Sequence, residues 1–472
     1  MNLVSAKPVA LIFSIVTAFA SICHAETIVK DADELRMALM NGDTEIKIIP
    51  SRNIKIDETL IYASTDPLTI FGNNSKITTN EGIDILEITH GADLTVKDLK
   101  IIGPGGYSIE NQGEGIGILL NVPGDTGNTK DTVMLDLDNV TVMGNAEFGV
   151  LVQDCTADPC GSGGGGAGDG SDAGVHVNFH NVKIINNGNG AFDGDGARVN
   201  EREMGDIKFT ATHTVFINNG ADGLELDEGD EGDIYSHISY TKFNRNGNYC
   251  DPSLITLPDP DEAEDLPQCG AGAVFLEDLL AFKTNALDPM CVEIESKSHD
   301  MLCEGKTTVE EYETGIDLDD GVDFDEAGKG GIISKVSHSE IKNNKDEGAD
   351  FDEEDDGGVK ADFYYVNASL NSDDGIKVSE EGADTSDMSG TVTGELIAVT
   401  VNSNGGKAIV YEEAGAGDLT VDIFNSMTNG KNDDGDTGVE VVEENDGECN
   451  ITVSDSMIKE ATPVELGEDC AP

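Results

Sequence analysis

Tryptophan is absent from this 472-residue chain, aromatic residues make up only 5%, and Lys+Arg number 28 against 93 Asp+Glu. The scarcity of rings counts against a sugar-stacking cleft. The scarcity of positive charge leaves a formal net charge of −65, which repels nucleic-acid phosphates and anionic lipid headgroups, so neither is an expected partner. Divalent cations and cationic molecules are what such a field attracts. Beyond residue 25 no segment is long and apolar enough to cross a bilayer, which takes about 20 residues, so no membrane insertion is expected. High net charge favours disorder, but 38% of residues are hydrophobic and they recur in a regular pattern, which opposes it.

Residues 1–25 read as a secretory signal peptide. Lys7 supplies the lone positive charge, residues 9–20 (VALIFSIVTAFA) form an apolar run, and Cys23-His24-Ala25 is a small-residue cleavage site before Glu26. The protein is therefore expected to be exported, to the periplasm, the cell surface or the extracellular space. Of the nine cysteines, those after Cys23 fall in local pairs: Cys155/Cys160, Cys250/Cys269, Cys291/Cys303 and Cys449/Cys470. An even number in an exported chain points to disulfides. Zinc is the rival reading, but none of these gaps has CxxC spacing.

One six-residue pattern recurs: Gly or a substitute, apolar, any, apolar, any, acid. It runs through Gly149–Asp154, Gly196–Glu201, Gly223–Glu228, Gly272–Glu277, Gly321–Glu326, Gly348–Glu353, Gly375–Glu380, Lys407–Glu412 and Gly438–Glu443. The shortest interval between terminal acids, 27 residues as from Glu201 to Glu228, is the basic unit. The intervals of 47 and 49 residues contain the inner cysteine pairs, so loops have been inserted without disturbing the phase. After each acid come a Gly-rich turn, an alternating strand, a short Ser/Thr-x-apolar strand, and an Asn-rich turn such as Asn218-Asn219, Asn343-Asn344, Asn371 or Asn402. Period-2 alternation in short segments punctuated by Gly, Asn and Asp means strands and turns, and a fixed period of this size means a solenoid.

These coils resemble the parallel β-helix repeats of the pectin-lyase-like superfamily, over most of the chain from about Thr27 onward. The resemblance implies an all-β fold: a single right-handed parallel β-helix solenoid with three short strands per coil and disulfide-closed loop insertions. Its span is 26–472, with an N-terminal cap at 26–45, insertions at 155–173, 247–270 and 284–306, and a C-terminal cap at 449–472. Residues 32–40 (ADELRMALM) read as a short amphipathic cap helix. The asparagines are expected to stack inside turns, bonding to neighbouring coils. The superfamily holds lyases, hydrolases, epimerases, adhesins and structural proteins, so the likeness leaves activity open.

The terminal acids form a column: Glu201, Glu228, Glu277, Glu326, Glu353, Glu380, Glu412 and Glu443. Their parity matches the inward apolar residues, so the strand is expected to turn there and expose them, because a stack of buried carboxylates would not fold. Adjacent carboxylates about 5 Å apart repel by roughly 1 kcal/mol at water's dielectric. Bridging calcium, a hard ion that takes oxygen ligands, would reverse that sign. The expected ligands are Asp227, Glu228, Asp325, Glu326, Asp352, Glu353, Glu380, Glu412 and Glu443. A merely solvated acidic face is the bland alternative, and residues 346–356 (DEGADFDEEDD) match a calcium loop in composition alone.

No nucleophile or acid–base set is legible. Gly-His-Gly, Asp-Pro-His-Asp and Asn-Thr-Asp motifs are missing. Arg198, Arg202 and Arg245, with Lys208, Lys242 and Lys283, would make a basic patch only if folding gathered them, and scattered charge is expected. His213 and His338 share a repeat position but are expected to lie several coils apart. His176 and His180, about 13 Å apart on a strand, cannot share a metal. The expected function is an exported, acidic, calcium-binding β-helix with a non-catalytic scaffold, adhesion or matrix role. Its partners would be a polysaccharide or a cell-surface protein, with insertions after Asn248 and Asn285 setting specificity. The alternative is a calcium-dependent polysaccharide lyase or epimerase.

Overall fold

A computed structural model describes residues 26–108, 111–123, 132–154, 170–191, 194–248, 320–353, 357–380, 390–415, 417–428, 437–443, 447–460, 462–467 and 470. It also gives short backbone strands between 255 and 311. The signal sequence, Cys23, the Cys155/Cys160 pair and Lys283 lie outside the described residues.

Short apolar-alternating segments become strands that pair in parallel with their counterparts one repeat away. A twelve-stranded sheet carries one strand from every coil, from Leu60–Tyr62 to Thr462–Leu466. A 23-stranded sheet carries the other strands of the coils around the remaining faces. Together they enclose a right-handed parallel β-helix whose coils rise about 4.8 Å each. Inward side chains stack along its axis into a continuous apolar core. The aromatic pairs show the stacking directly: Phe216 lies over Phe243 with centroids 4.9 Å apart, and Phe324 over Phe351 at 4.4 Å.

Helix α1, Ala32–Met40, closes the N-terminal end as expected. Asp31 caps it by accepting the Glu34 amide, and Leu35, Ala38 and Leu39 face the core. At the other end Cys449 is bonded to Cys470. Within the turns, a buried file of asparagine amides passes from Asn145 through Asn187, Asn219, Asn246, Asn344 and Asn371 to Asn404. The file holds Asn404, not Asn402. Asn218 and Asn343 stand beside it at positive φ.

Two repeat assignments change. The strand Leu224–Asp230 pairs directly with Val322–Gly328, setting Glu228 beside Glu326. Glu277 therefore does not stand between them; it lies outside the described residues, in the insertion of about 249–319 that separates the two paired strands in sequence. Cys291 and Cys303 face each other across an antiparallel pair inside that insertion, and Ile255 faces Cys269. The pairing expected of Cys250 lies outside the described residues. Farther along, Glu380 and Glu443 both align with Glu413, so Glu412 falls one residue out of the column.

Candidate metal centre

Alternation along the twelve-stranded sheet sends one set of side chains outward, where they stack as regularly as the core. Arg198, Glu225, Asp323 and Asp350 share one register position, and Asn200, Asp227, Asp325, Asp352 and Ser379 share the next. The residue before each repeat glycine makes a third file: Asp195, Asp222, Asp320, Glu347 and Asp374. Amide bonds such as Gly223 N to Asp320 O and Gly348 N to Asp374 O hold it in step. The three coils from Asp222 to Asp352 are acidic at every one of these positions.

Basic side chains bracket this acidic field. On one flank, Arg198 lies 2.7 Å from Glu225 and 3.3 Å from Asp227. Arg202, fully buried, pairs with Asp227 and also donates to the carbonyl oxygens of Glu201 and Asp227. On the other flank, Lys377 lies 2.9 Å from Asp350 and 3.0 Å from Asp352, which also accepts from the Ser379 hydroxyl.

Between the brackets, carboxylate oxygens converge to within 4.8 Å in triads, two of which share Glu347: Asp320/Glu347/Asp350 and Asp346/Glu347/Asp373. Two more meet at Glu225: Asp195/Asp222/Glu225 and Glu225/Asp323/Asp325. Burial, then the charges of Asp320, Asp350 and Asp373, push the Glu347 carboxyl well above its ordinary range, while Lys377 pulls it back. Burial and the Asp325, Asp222, Asp320 and Glu225 charges do the same to Asp323. Asp374 is pushed up to about 7 by burial and by Asp373. Crowded acids that resist ionisation are a place where a hard divalent cation gains most by replacing protons. The donors fit: five carboxyl groups around Glu347, all oxygen.

The expected ligands separate into three groups. Asp227 and Asp352 are engaged by the bracketing Arg198, Arg202 and Lys377. Asp325 joins the Glu225 cluster. Glu228, Glu326, Glu353, Glu380 and Glu443 do turn inward and are buried, contrary to the expectation that a buried stack would not fold. Glu412 points away from them on the outer side, and Glu413 takes its place, buried, in the column. The fold tolerates the stack in part because several of its turns present backbone N–H groups to it. The amides of Gly232, Gly417 and Gly447 donate at 3.0, 2.9 and 2.7 Å to Glu228, Glu413 and Glu443, each four residues earlier. A Cβ at Gly357 would sit 2.7 Å from the Glu353 carboxyl oxygen, which is why glycine recurs at that spacing. Glu-x-x-x-Gly was the overlooked signal for the column, and the acid-Gly dipeptides Asp320-Gly321 and Glu347-Gly348 were the overlooked signal for the outer cluster.

Arg198 and Arg202 meet at Asp227, and the other basic residues do not join them. Lys208 pairs with Asp206 at 2.6 Å, Lys242 with Glu340 at 3.2 Å, and Arg245 sits exposed in a turn at φ 61°. His180 lies 2.9 Å from Asp138. His213 and His338 are two coils apart, not several, and Tyr240 fills the place between them. Continued by Tyr365, they make an exposed stack with centroids 5.0, 4.8 and 4.9 Å apart.

No family model matches the chain, and no curated relative matches its sequence. Among solved structures it is similar to tailspike protein 2 of Escherichia coli O157:H7 bacteriophage CAB120, at 9% identity and TM-score 0.38, over 86% of this chain and 43% of that one. A Geobacillus virus E2 protein, ORF18, gives 11% identity and TM-score 0.38, over 86% and 60%. Pectate lyase Pel9A gives 12% identity and TM-score 0.34, over 91% and 74%. The chain thus spans less than two thirds of the length of both phage proteins. No helix among the described residues is long and apolar enough to cross a membrane. The register of parallel coils carries the fold by itself: the chain is a right-handed parallel β-helix.

Proposed function

We propose that this protein is an exported, acidic, calcium-binding β-helix with a non-catalytic scaffold, adhesion or matrix role at the cell surface or in the periplasm. The observation that carries the reading is the convergence of Asp320, Asp346, Glu347, Asp350 and Asp373 in two triads sharing Glu347. Calcium there would bridge three neighbouring coils through their outer edges, adding cross-links to a rod that the apolar core already holds together. A polysaccharide or a cell-surface protein would be the partner such a rod displays itself to. Against the lyase alternative, Arg198 and Arg202 are committed to Asp227 and Glu225, so neither guanidinium is poised to take a proton from a substrate.

The test is a melting series in calcium. Binding to the folded coils alone stabilises by about 2.7 kcal/mol per site at a hundredfold excess over the dissociation constant. Sodium chloride at matched ionic strength should do less, because screening depends on ionic strength and not on which cation supplies it. Because burial and the neighbouring acids raise the Glu347 carboxyl above its ordinary range, calcium competes there with protons, and its effect should grow as pH rises. A response no larger than sodium's would refute calcium binding. Release of unsaturated products from an acidic polysaccharide, abolished by Arg198→Ala, would refute the non-catalytic role.

A further inference from the structure

The interior glutamate column is distinct from the outer acidic edge. Glu201, Glu228, Glu326, Glu353, Glu380, Glu413 and Glu443 follow one another coil by coil, each essentially without solvent exposure. In five of them one carboxyl oxygen is satisfied by turn amides: Glu201 by Glu203 N, Glu228 by Gly232 N, Glu380 by Gly415 N, Glu413 by Gly415 N and Gly417 N, and Glu443 by Gly447 N. In the first four the second oxygen, Glu201 Oε1, Glu228 Oε2, Glu380 Oε1 and Glu413 Oε2, is buried with no donor. Buried acceptors in this state are costly unless something supplies a hydrogen.

We propose that these second oxygens are bridged by protons, one shared between successive carboxyl groups, so that the column ties coil to coil as a chain of O–H···O bonds. Each shared proton lets one carboxyl donate and its neighbour accept, and no other group is consumed. Calcium fits this place poorly: it takes six to eight oxygens, and each gap offers two.

The surroundings favour the protonated form. Glu201 faces Asp154 and Glu228, and burial is the largest influence pushing it up to about 8. Glu228 lies between Glu326 and Glu201 and is pushed up to about 11 by burial and by both neighbours. Glu413, between Glu380 and Glu443, is pushed up to about 8, again chiefly by burial, and burial raises Glu380 as well. Asp154, at the head of the column beside Glu203 and Asp172, is pushed up to about 7 by burial. The positive charge nearby is the Arg202 guanidinium, directed to Asp227 and to the Glu201 carbonyl rather than into the column.

A carboxyl that binds its proton more tightly folded than unfolded stabilises fully below its unfolded pKa, about 4.5, and loses that contribution as pH climbs through the folded value. The column is therefore an alkaline-release device. It locks the coils in mildly acidic to neutral solution and loosens them as pH rises through about 8.

The decisive variants are Glu228→Gln and Glu413→Gln, melted with a chelator present from about pH 6 to about pH 9, where ordinary carboxylates no longer titrate. Glutamine accepts the turn amide with its carbonyl and donates its NH₂ to the next carboxyl, imitating the protonated state permanently. The wild-type melting temperature should fall across this range. Both variants should fall less and melt above wild type at the alkaline end. The exposed Asp57→Asn should parallel wild type. Infrared spectra at neutral pH should show a protonated-carboxyl C=O band that weakens in each variant. A flat wild-type profile, glutamine variants that melt lower than wild type at alkaline pH, or absence of that band would overturn the proposal.

Discussion

Two files of carboxyl groups run along this rod, one inside the twelve-stranded sheet and one outside, built from the same residue types at the same coil spacing. The inner file has a glycine four residues after every acid except Glu380 and sees little but amides and its own neighbours. The outer file is bracketed by Arg198, Arg202 and Lys377 and gathers five carboxyl groups in two triads that share Glu347. Stacked acid alone therefore does not dictate the counter-charge; the neighbours do. Where two oxygens meet in a dry gap a proton suffices, and where five carboxyl groups converge at an edge a divalent cation fits better.

The first coils supply an internal control. At the position where later coils carry glutamate, the strand Ile118–Val122 carries Val122, and its neighbour in register is Asp154. Along the stack the position passes from valine through aspartate to glutamate. Asp154 accepts from the Ser171 amide at 2.9 Å and from its hydroxyl at 2.7 Å. Val122 is followed four residues later by Thr126, not glycine.

Transplanting the inner file into that control should produce the largest effect. Val122→Glu buries a carboxyl without the glycine four residues on, and should destabilise by about 2–7 kcal/mol, read by denaturant unfolding. Val122→Met, which keeps the site apolar, should cost less than about 1.5 kcal/mol. If the two behave alike, the turn amides are not what makes the column tolerable. Next in size is Gly357→Ala. Its new Cβ would meet the Glu353 carboxyl as well as backbone, and overpacking of this kind costs about 1–3 kcal/mol. An unchanged unfolding midpoint would mean that the turn is looser than its contacts imply. Smallest is Cys291→Ser. Cys291 stands opposite Cys303 in an insertion outside the stacked coils, so the main unfolding transition should stay put while protease cuts the insertion faster. A lowered main transition would show that the insertion supports the coils.

Much of this was legible in the sequence, for identifiable reasons. Coil length, the apolar columns and the cap helix follow from periodicities that physics imposes on any solenoid. The asparagine file followed from turn chemistry, with the error of Asn402 for Asn404 arising where two asparagines flank one serine. The hexad ending in acid was too permissive. It admitted Glu277, which lies inside the insertion, and Glu412, which is one residue out of phase. Requiring glycine four residues later removes both, since Ala281 and Ala416 stand there, and it selects Glu413 through Gly417, but it also loses Glu380, which has Asp384 at that place and belongs to the column. The acid-Gly dipeptides repeat every 27 residues from Asp320 through Glu347 to Asp374, but the repeat alone does not say which outward carboxylates meet at Glu347. The adjacency of Asp222 and Asp320 was hidden by the insertion that separates them by 98 residues.

The most direct test of the division between proton and cation is a crossover. Wild type, Glu347→Gln and Glu228→Gln are melted at neutral pH in calcium and in sodium of matched ionic strength. Calcium should raise the melting temperature of wild type and of Glu228→Gln by the same amount beyond sodium, and should give Glu347→Gln no such excess. Loss of the calcium response in Glu228→Gln with its retention in Glu347→Gln would contradict the account, moving the ion from the outer edge into the column.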